Sequence, residues 1–373
     1  MAADGYRIGL LFSQLSLTAD VETSQANATQ LAIEEVNAAG GINGVPLEPV
    51  TLEIGFKPDD YRRAAESLCD VERVRALFGT HMSSTRKAVL PVLESRRKPL
   101  FYPTLYEGFE FSPWCFYTGA APNQNSLQLA RHVLAHYGKR VLFVGGRYVY
   151  PYESNRIMRD LFEQAGGEVV AEFHLPFLAS DDAFDQVMHR VRESAPDAIY
   201  STMVGCDTPQ LYRAYRKAGF DPARTPIVSL ATNEADVAHL TPEQAEGHLC
   251  AAPWFDTLDT ANSRQFVTRY RARFGEQAAI TAGAEAAYFQ LHLYANAVRH
   301  GPDDSLEALR QMLFSISFEA PQGKVAIDTE TQHTWLWPRV ARLNAQAHFE
   351  IIQQSTEAVR PDPWMVEHQL GCF

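Results

Sequence analysis

The chain has 373 residues, of which 46% are hydrophobic and 21% charged, with a formal net charge of −12. That length exceeds the roughly 250–300 residues over which one hydrophobic core grows, so two domains are expected. The acidic balance argues against nucleic acid as a direct partner, and no stretch approaches the ~18 apolar residues that a helical membrane span requires.

The chain opens Met1-Ala2-Ala3-Asp4-Gly5-Tyr6-Arg7, with neither a basic n-region nor an apolar h-region. A cytoplasmic protein is expected from this start, or a periplasmic one if a leader has been removed. Arg7–Phe12 reads as a buried parallel strand and residues 20–39 as a helix whose apolar face carries Ala28, Leu31, Ala32 and Val36. Gly40-Gly41 ends that helix. A strand near 47–54, a helix over 60–71 with Asp59 and Asp60 as capping candidates, a strand Ala76–Gly79, a helix 85–95, and strands 99–102 and 116–118 follow.

The pattern then restarts: helix 123–137, strand 140–144, helix 153–165, strand 168–173, helix 181–194, strand 198–202, helix 207–218, strand 226–230, helix 234–239 and strand 248–252. Long helices over 260–274, 281–300 and 304–314 are followed by strand patterns at 323–328, 335–343 and 347–354. Two βαβ runs in series imply an α/β protein of two doubly wound, Rossmann-like lobes. The long helices are expected to return to the first lobe and the last strands to the second. Three crossings would form a three-strand hinge, with the ligand in the cleft between lobes. The expected division is 1–120 and 253–325 for the first lobe, 121–252 and 326–373 for the second. No short repeat and no low-complexity segment is present.

Candidate ligand contacts lie where strands run into helices. Gly79-Thr80-His81-Met82-Ser83-Ser84-Thr85 enters a helix start, which offers backbone N–H groups and partial positive charge; its hydroxyls serve as caps or as ligand contacts. Tyr102-Pro103-Thr104-Leu105 ends a strand with a hydroxyl and an aromatic wall, or is a turn set by Pro103. Tyr148-Val149-Tyr150 puts two phenols on one side if the segment is extended. In the second run, Gly205 offers backbone, and Ala231 and Thr232 end a strand where Thr232 or Asn233 can instead cap the next helix. The candidate set is therefore His81, Met82, Ser83, Tyr102, Thr104 and Leu105 in the first run, with Tyr148, Tyr150, Gly205, Ala231 and Thr232 in the second. Glu285 can answer a cationic ligand, or be a solvated or capped acid.

Signals for catalysis are thin. HExxH, GxxxxGK[ST], GxSxG and GxGxxG are all missing from the sequence. His132 and His136 stand at i, i+4 without an evident third metal ligand, and an exposed face is the simpler reading. The five cysteines, Cys69, Cys115, Cys206, Cys250 and Cys372, are scattered and form no CxxC pair, so reduced thiols are expected. A binding protein with no metal and no cofactor is the reading.

Several stretches together are similar to one family: Ile8-Gly9-Leu10-Leu11-Phe12-Ser13, Met82-Ser83-Ser84-Thr85-Arg86-Lys87-Ala88-Val89, Tyr102-Pro103-Thr104, Tyr106-Glu107-Gly108-Phe109-Glu110, Ala121-Pro122-Asn123-Gln124-Asn125-Ser126, Glu153-Ser154-Asn155, Ala284-Glu285-Ala286-Ala287-Tyr288, Ala320-Pro321-Gln322-Gly323 and Arg360-Pro361-Asp362-Pro363. The chain resembles the amide and urea branch of type I periplasmic-binding-protein folds. That branch includes the negative regulator of the bacterial aliphatic amidase operon and receptors of urea and short-chain amide transporters. The resemblance implies that Ser83, Thr104, Tyr102, Tyr148 and Tyr150 match amide-contacting positions. It also implies a sensor that closes on a small aliphatic amide and controls an RNA-binding antitermination partner; the alternative is the solute receptor of a urea or short-chain amide ABC transporter. Homo-oligomerisation is left open. Two residues depart from the pattern: His81 stands where the regulator has Tyr and the urea receptors Trp, and Leu105 where the regulator has Pro.

Overall fold

The structure, a computed structural model, describes residues 5–303 and 305–365. Met1–Asp4 and Cys372, both used above, lie outside the described residues. The chain divides into two compact units. Unit 1 takes the described parts of Met1–Leu105, Phe109–Ala120 and Asp259–Leu336; unit 2 takes those of Tyr106–Gly108, Ala121–Leu258 and Trp337–Phe373.

Unit 1 begins with β1 (Tyr6–Leu11), α1 (Ala19–Ala38), β2 (Leu47–Thr51), α2 (Pro58–Asp70), β3 (Leu77–Gly79), α3 (Ser83–Arg96), β4 (Leu100–Tyr102) and β5 (Cys115–Tyr117). Unit 2 follows with α4 (Pro122–His136), β6 (Arg140–Gly146), α5 (Val149–Gln164), β7 (Glu168–Leu175), α6 (Asp181–Ser194), β8 (Ala198–Thr202), α7 (Asp207–Lys217), β9 (Ile227–Ser229), the short α8 (Glu234–Val237) and α9 (Pro242–Ala245), and β10 (Leu249–Ala252). Unit 1 is completed by α10 (Ala261–Phe274), α11 (Ala282–His300), α12 (Leu306–Ser315), β11 (Ser317–Ala320), β12 (Gly323–Ile327) and β13 (Thr334–Trp335), and unit 2 by β14 (Arg339–Leu343) and β15 (Phe349–Gln354).

Each unit is doubly wound. The unit 1 sheet has the order β2-β1-β3-β4-β5, all parallel. The parallel part of the unit 2 sheet runs β7-β6-β8-β9-β10, the same order, with β14 and β15 added antiparallel beyond β10. The order reverses between β1 and β3 in one sheet and between β6 and β8 in the other. At such a switch point the loops leaving the carboxyl ends diverge, and ligands of open α/β sheets bind in that crevice.

The registers explain the cores. Phe78, Phe101 and Phe116 are aligned across β3, β4 and β5, and their rings stack at 4.9 Å spacings. Tyr294 of α11 meets Phe78 and Phe101 edge-on at 5.2 and 5.3 Å. The long helix α11 therefore covers unit 1, where Ser24 of α1 and Thr281 pair at 3.0 Å. In unit 2, Leu142, Val144, Ile199 and Ile227 from the sheet pack with Phe184, Val187 and Tyr212 from the helices in one buried cluster.

Four features differ from the sequence expectation. Strand 335–343 is two strands: β13 pairs β12 in unit 1, β14 pairs β10 in unit 2, and Pro338 between them has no N–H for a ladder. Strand 323–328 belongs to the three-stranded β11-β12-β13 sheet of unit 1, not to the second lobe. Tyr106–Gly108 groups with unit 2, because Gly108, at φ 75°, packs where a Cβ would fall 2.3 Å from the Pro363 carbonyl oxygen. Helix α5 starts at Val149 rather than 153, so Tyr150 is helical and the segment 148–150 is not an extended pair.

Candidate functional site

In unit 1 the loop after β3 is shaped by backbone conformation. Gly79 (φ 121°) lies where a Cβ would meet the Leu11 carbonyl oxygen at 2.7 Å. Thr80 follows in the left-handed region at φ 60°, a costly place for a β-branched side chain, with its N–H bonded to Leu11 O at 2.8 Å. This turn delivers His81 and Met82 to the start of α3. The N-cap residue is Met82, whose side chain makes no cap hydrogen bond. The same holds for α1, α5, α6 and α7, whereas Thr260, Thr281 and Ser305 cap α10, α11 and α12 with their hydroxyls. The positive end of a fourteen-residue helix thus starts beside the switch point with no cap bond from its N-cap side chain. Ser83 is its first residue and is buried; Thr85 turns its hydroxyl back to Met82 O at 2.8 Å.

Thr104 is the hub beneath this loop. Its Oγ1 accepts from Gln25 Nε2 at 3.0 Å and lies 3.4 Å from both Thr80 O and His81 Nδ1. Two glycines let the surroundings close on it: a Cβ on Gly119 would fall 2.1 Å from the Thr104 carbonyl, and one on Gly283 would fall 2.5 Å from Gln25 Nε2. Burial lowers the pKa of His81 to about 4, so its half-buried ring is neutral near pH 7.

Tyr102 has a supporting place. It is fully buried, its hydroxyl donates to His81 O at 2.8 Å, and the Arg86 guanidinium lies 4.7 Å from its ring. Arg86, itself fully buried, pairs with Glu110 at 2.7 Å, and Lys87 reaches the same carboxylate at 2.7 Å. Burial works to raise the Glu110 pKa, yet the two cations together outweigh it and hold the group at about 2. Leu105 is half-buried at the end of this segment.

Unit 2 carries its own cluster at the carboxyl ends of β6, β8 and β9. Tyr148 is the N-cap residue of α5 and half-buried, with its ring 6.3 Å from Tyr150 and 5.3 Å from Phe177. Tyr150 is buried, which raises its phenol well above the ordinary range. Gly205, at φ 60°, turns the chain from β8 into α7, and its carbonyl accepts from Thr208 N–H at 3.0 Å. Ser229 Oγ folds the next turn by accepting from Ala231 N–H (3.1 Å) and Thr232 N–H (3.0 Å). Thr232 is bound inward, its hydroxyl accepting from Tyr212 at 3.1 Å and its carbonyl from Cys250 at 2.9 Å. The α8 cap is Asn233, which accepts from Ala235 N–H at 3.0 Å.

Other candidates are absorbed elsewhere. Glu285 is neither solvated nor a cap: it is fully buried and accepts from Gln322 N–H (3.2 Å) and Nε2 (2.7 Å). His132 is buried rather than on an exposed face, with Nδ1 3.0 Å from Gln353 Oε1. Cys69, Cys115, Cys206 and Cys250 are free thiols. Sequence reading missed Gln25, Gly119 and Gly283. Gln25 left one signal, a polar side chain three residues before Ala28 on the apolar face of α1.

Comparison with known proteins bears on this arrangement. A family model described as "Periplasmic binding protein domain" matches residues 6–370. The chain is 25% identical over 296 residues to Leu/Ile/Val-binding protein homolog 6 of Brucella melitensis, covering 76% of this chain and 75% of that protein. A solute binding protein of an ABC transporter from R. palustris, in complex with 4-hydroxybenzoate, superposes with a TM-score of 0.87 at 20% identity, covering 97% of this chain and 99% of that one. A branched-chain amino acid transporter substrate binding protein from Streptococcus pneumoniae, in complex with isoleucine, gives 0.82 at 22% identity, covering 96% and 100%. The fold is that of the type I periplasmic binding proteins. The chain is a binder of small molecules rather than an enzyme. Among the described residues no helix is long and apolar enough to cross a membrane.

Proposed function

We propose, from the premise that this chain belongs to the periplasmic binding protein domain family, that it is the solute receptor of an ABC transporter for urea or a short-chain amide. The observation that carries the ligand class is the start of α3. A helix end whose N-cap residue, Met82, makes no side-chain cap bond puts positive potential within reach of a carbonyl oxygen, while the neutral ring of His81 beside it adds no charge. A periplasmic location goes with this reading, in place of the cytoplasmic one expected from the first residues.

The family match and the names of the relatives favour a transport receptor over a regulator. The second reading is an amide sensor acting on an RNA-binding antiterminator. It rests on the segments Met82–Val89, Tyr102–Thr104 and Ala121–Ser126.

A molecule the size of acetamide reaches at most about 6 kcal/mol of binding at roughly 1.5 kcal/mol per heavy atom, a Kd of tens of micromolar. Millimolar ligand is therefore enough for a thermal-shift titration with urea, acetamide, propionamide, butyramide, isoleucine and benzoate. Stabilisation by urea or the amides is the expected result. Stabilisation by isoleucine or benzoate alone would refute the ligand class. Fractionation of cells expressing the native gene separates the two roles: a periplasmic protein is a receptor, and a cytoplasmic one that co-purifies with an RNA-binding protein in an amide-dependent way is the sensor.

A further inference from the structure

The hydrogen-bond count around Thr104 fixes what His81 presents to a ligand. A threonine hydroxyl has one hydrogen to give and two lone pairs to receive. Gln25 Nε2, at 3.0 Å, occupies one lone pair. Two groups at 3.4 Å compete for the hydrogen: Thr80 O, which can only accept, and His81 Nδ1, which can accept or donate. Thr104 Oγ1 is the one protein donor to the buried Thr80 carbonyl among the described residues. Withholding its hydrogen would leave that carbonyl unpaired, which is costly in a buried place. The imidazole escapes such a cost by moving its own proton to Nδ1. Turning the Gln25 amide over changes nothing, since its oxygen would then claim the same Thr104 hydrogen.

We infer that His81 is held as the Nδ1–H tautomer, donating to Thr104, so that its Nε2 is a bare acceptor that selects an uncharged solute bearing an N–H, a carboxamide or urea, against the matching carboxylate. Among the described residues Nε2 has no hydrogen-bond partner. The Tyr102 hydroxyl, bonded to His81 O at 2.8 Å, fixes the backbone from which the ring projects. His81 directly precedes Met82, the N-cap residue of α3, so the positive end of that helix follows it in the chain. An acceptor beside donors is the complement of an amide, whereas an ionised carboxylate offers nothing for Nε2 to receive. The inference rests on the amide and urea reading above and names His81 as the residue that enforces it. Gln25 and Thr104 are positioning residues that act through it.

The tautomer is read directly from long-range proton–nitrogen correlation spectra of the full chain with labelled histidine rings near pH 7, His81 being assigned by its loss in His81→Gln. A protonated Nδ1 with an unprotonated Nε2 is expected, and the opposite pattern overturns the inference. In Thr104→Val the Nδ1–H signature should give way to the other tautomer or to a mixture. Binding is read with acetamide and sodium acetate as probes. His81→Phe should lose acetamide affinity on the order of tenfold or more, while His81→Gln, which keeps an acceptor, should lose much less. If neither acetamide nor urea stabilises the wild type, this inference and the receptor reading fall together. If acetamide binds and His81→Phe binds it as tightly as the wild type, the receptor reading stands and this inference alone falls.

Discussion

The hydroxyl of Tyr102 donates to the carbonyl oxygen of His81 at 2.8 Å. A tyrosine that the resemblance placed against the ligand thus grips the backbone of His81. Tyr102→Phe keeps the ring beneath Arg86 and removes this bond. It should cost about 1 kcal/mol of stability and weaken acetamide binding a few-fold, through His81. Melting curves and titrations on one preparation test this: weakened binding with an unchanged melting temperature would instead mean direct contact.

The ion pair between buried Arg86 and half-buried Glu110 makes stability depend on pH with a definite sign. The Glu110 pKa is depressed from 4.5 to about 2 in the folded chain. Its contribution is therefore complete above the ordinary value and is lost as pH falls through 4.5 toward 2. Glu110→Gln should be less stable than the wild type near pH 7 by on the order of 2–3 kcal/mol. That gap should narrow in acid, and denaturant melts at neutral and acid pH would expose a gap that stays constant.

His248 has the opposite chemistry and the same direction. Its Nδ1 accepts from Ile227 N–H at 2.9 Å, and burial lowers its pKa from 6.5 to about 3. The unfolded chain takes up a proton near 6.5 while the folded one refuses it, so stability falls as pH drops from 6.5 toward 3. His81 and His333, both lowered to about 4, add to the slope. A melting temperature that stays flat from pH 6.5 to 4.5 would contradict this.

Gly119 and Gly283 are required by space rather than by turn geometry. Alanine at 119 would press on the Thr104 backbone at 2.1 Å, and at 283 on the Gln25 amide at 2.5 Å. Backbone yields less than a side-chain end, so Gly119→Ala should destabilise more, by roughly 1–3 kcal/mol. Gly283→Ala should cost less in stability but displace Gln25, detectable as a changed His81 ring signal. Equal melting temperatures for Gly119→Ala and the wild type would rule out the close approach.

Asn123 straps the tail of unit 2. Its Nδ2 donates to Arg360 O at 2.7 Å and its Oδ1 accepts from Asp362 N–H at 2.8 Å, while Gln124 Nε2 donates to Val359 O at 2.8 Å. Asn123→Ala should cost about 1–3 kcal/mol and speed hydrogen exchange at the Asp362 amide. Unchanged exchange there would show that the strap is held by something else.

Much of the architecture was legible because it follows from local periodicity. Alternating buried strands and amphipathic helices, punctuated by Gly40-Gly41 and Pro122, imply two doubly wound lobes without any knowledge of contacts. The motif residues at 81–85 and 102–104 were locatable too, because strand-to-helix junctions are where such sheets expose polar groups. Two pairs of distant motifs could be noticed in the sequence but not joined: Asn123 with Arg360, and Glu285 with Gln322. Each pair is joined by hydrogen bonds across more than a hundred residues of separation or across a chain reversal, and nothing local encodes that.

Composition and periodicity by themselves determined the fold class, the two lobes and the strand-to-helix junctions proposed as the ligand site, because each depends on neighbours a few residues apart. They could not determine which polar atoms in those stretches remain available. Tyr102 and Thr232 look like ligand contacts in a linear reading, yet their hydroxyls are bonded to His81 O and Tyr212. Whether a hydroxyl faces a ligand or a neighbour depends on where Gln25, Gly119 and Gly283 bring α1, β5 and α11 against Thr104. That is a matter of three-dimensional packing, since a buried donor or acceptor takes whatever partner the packing supplies.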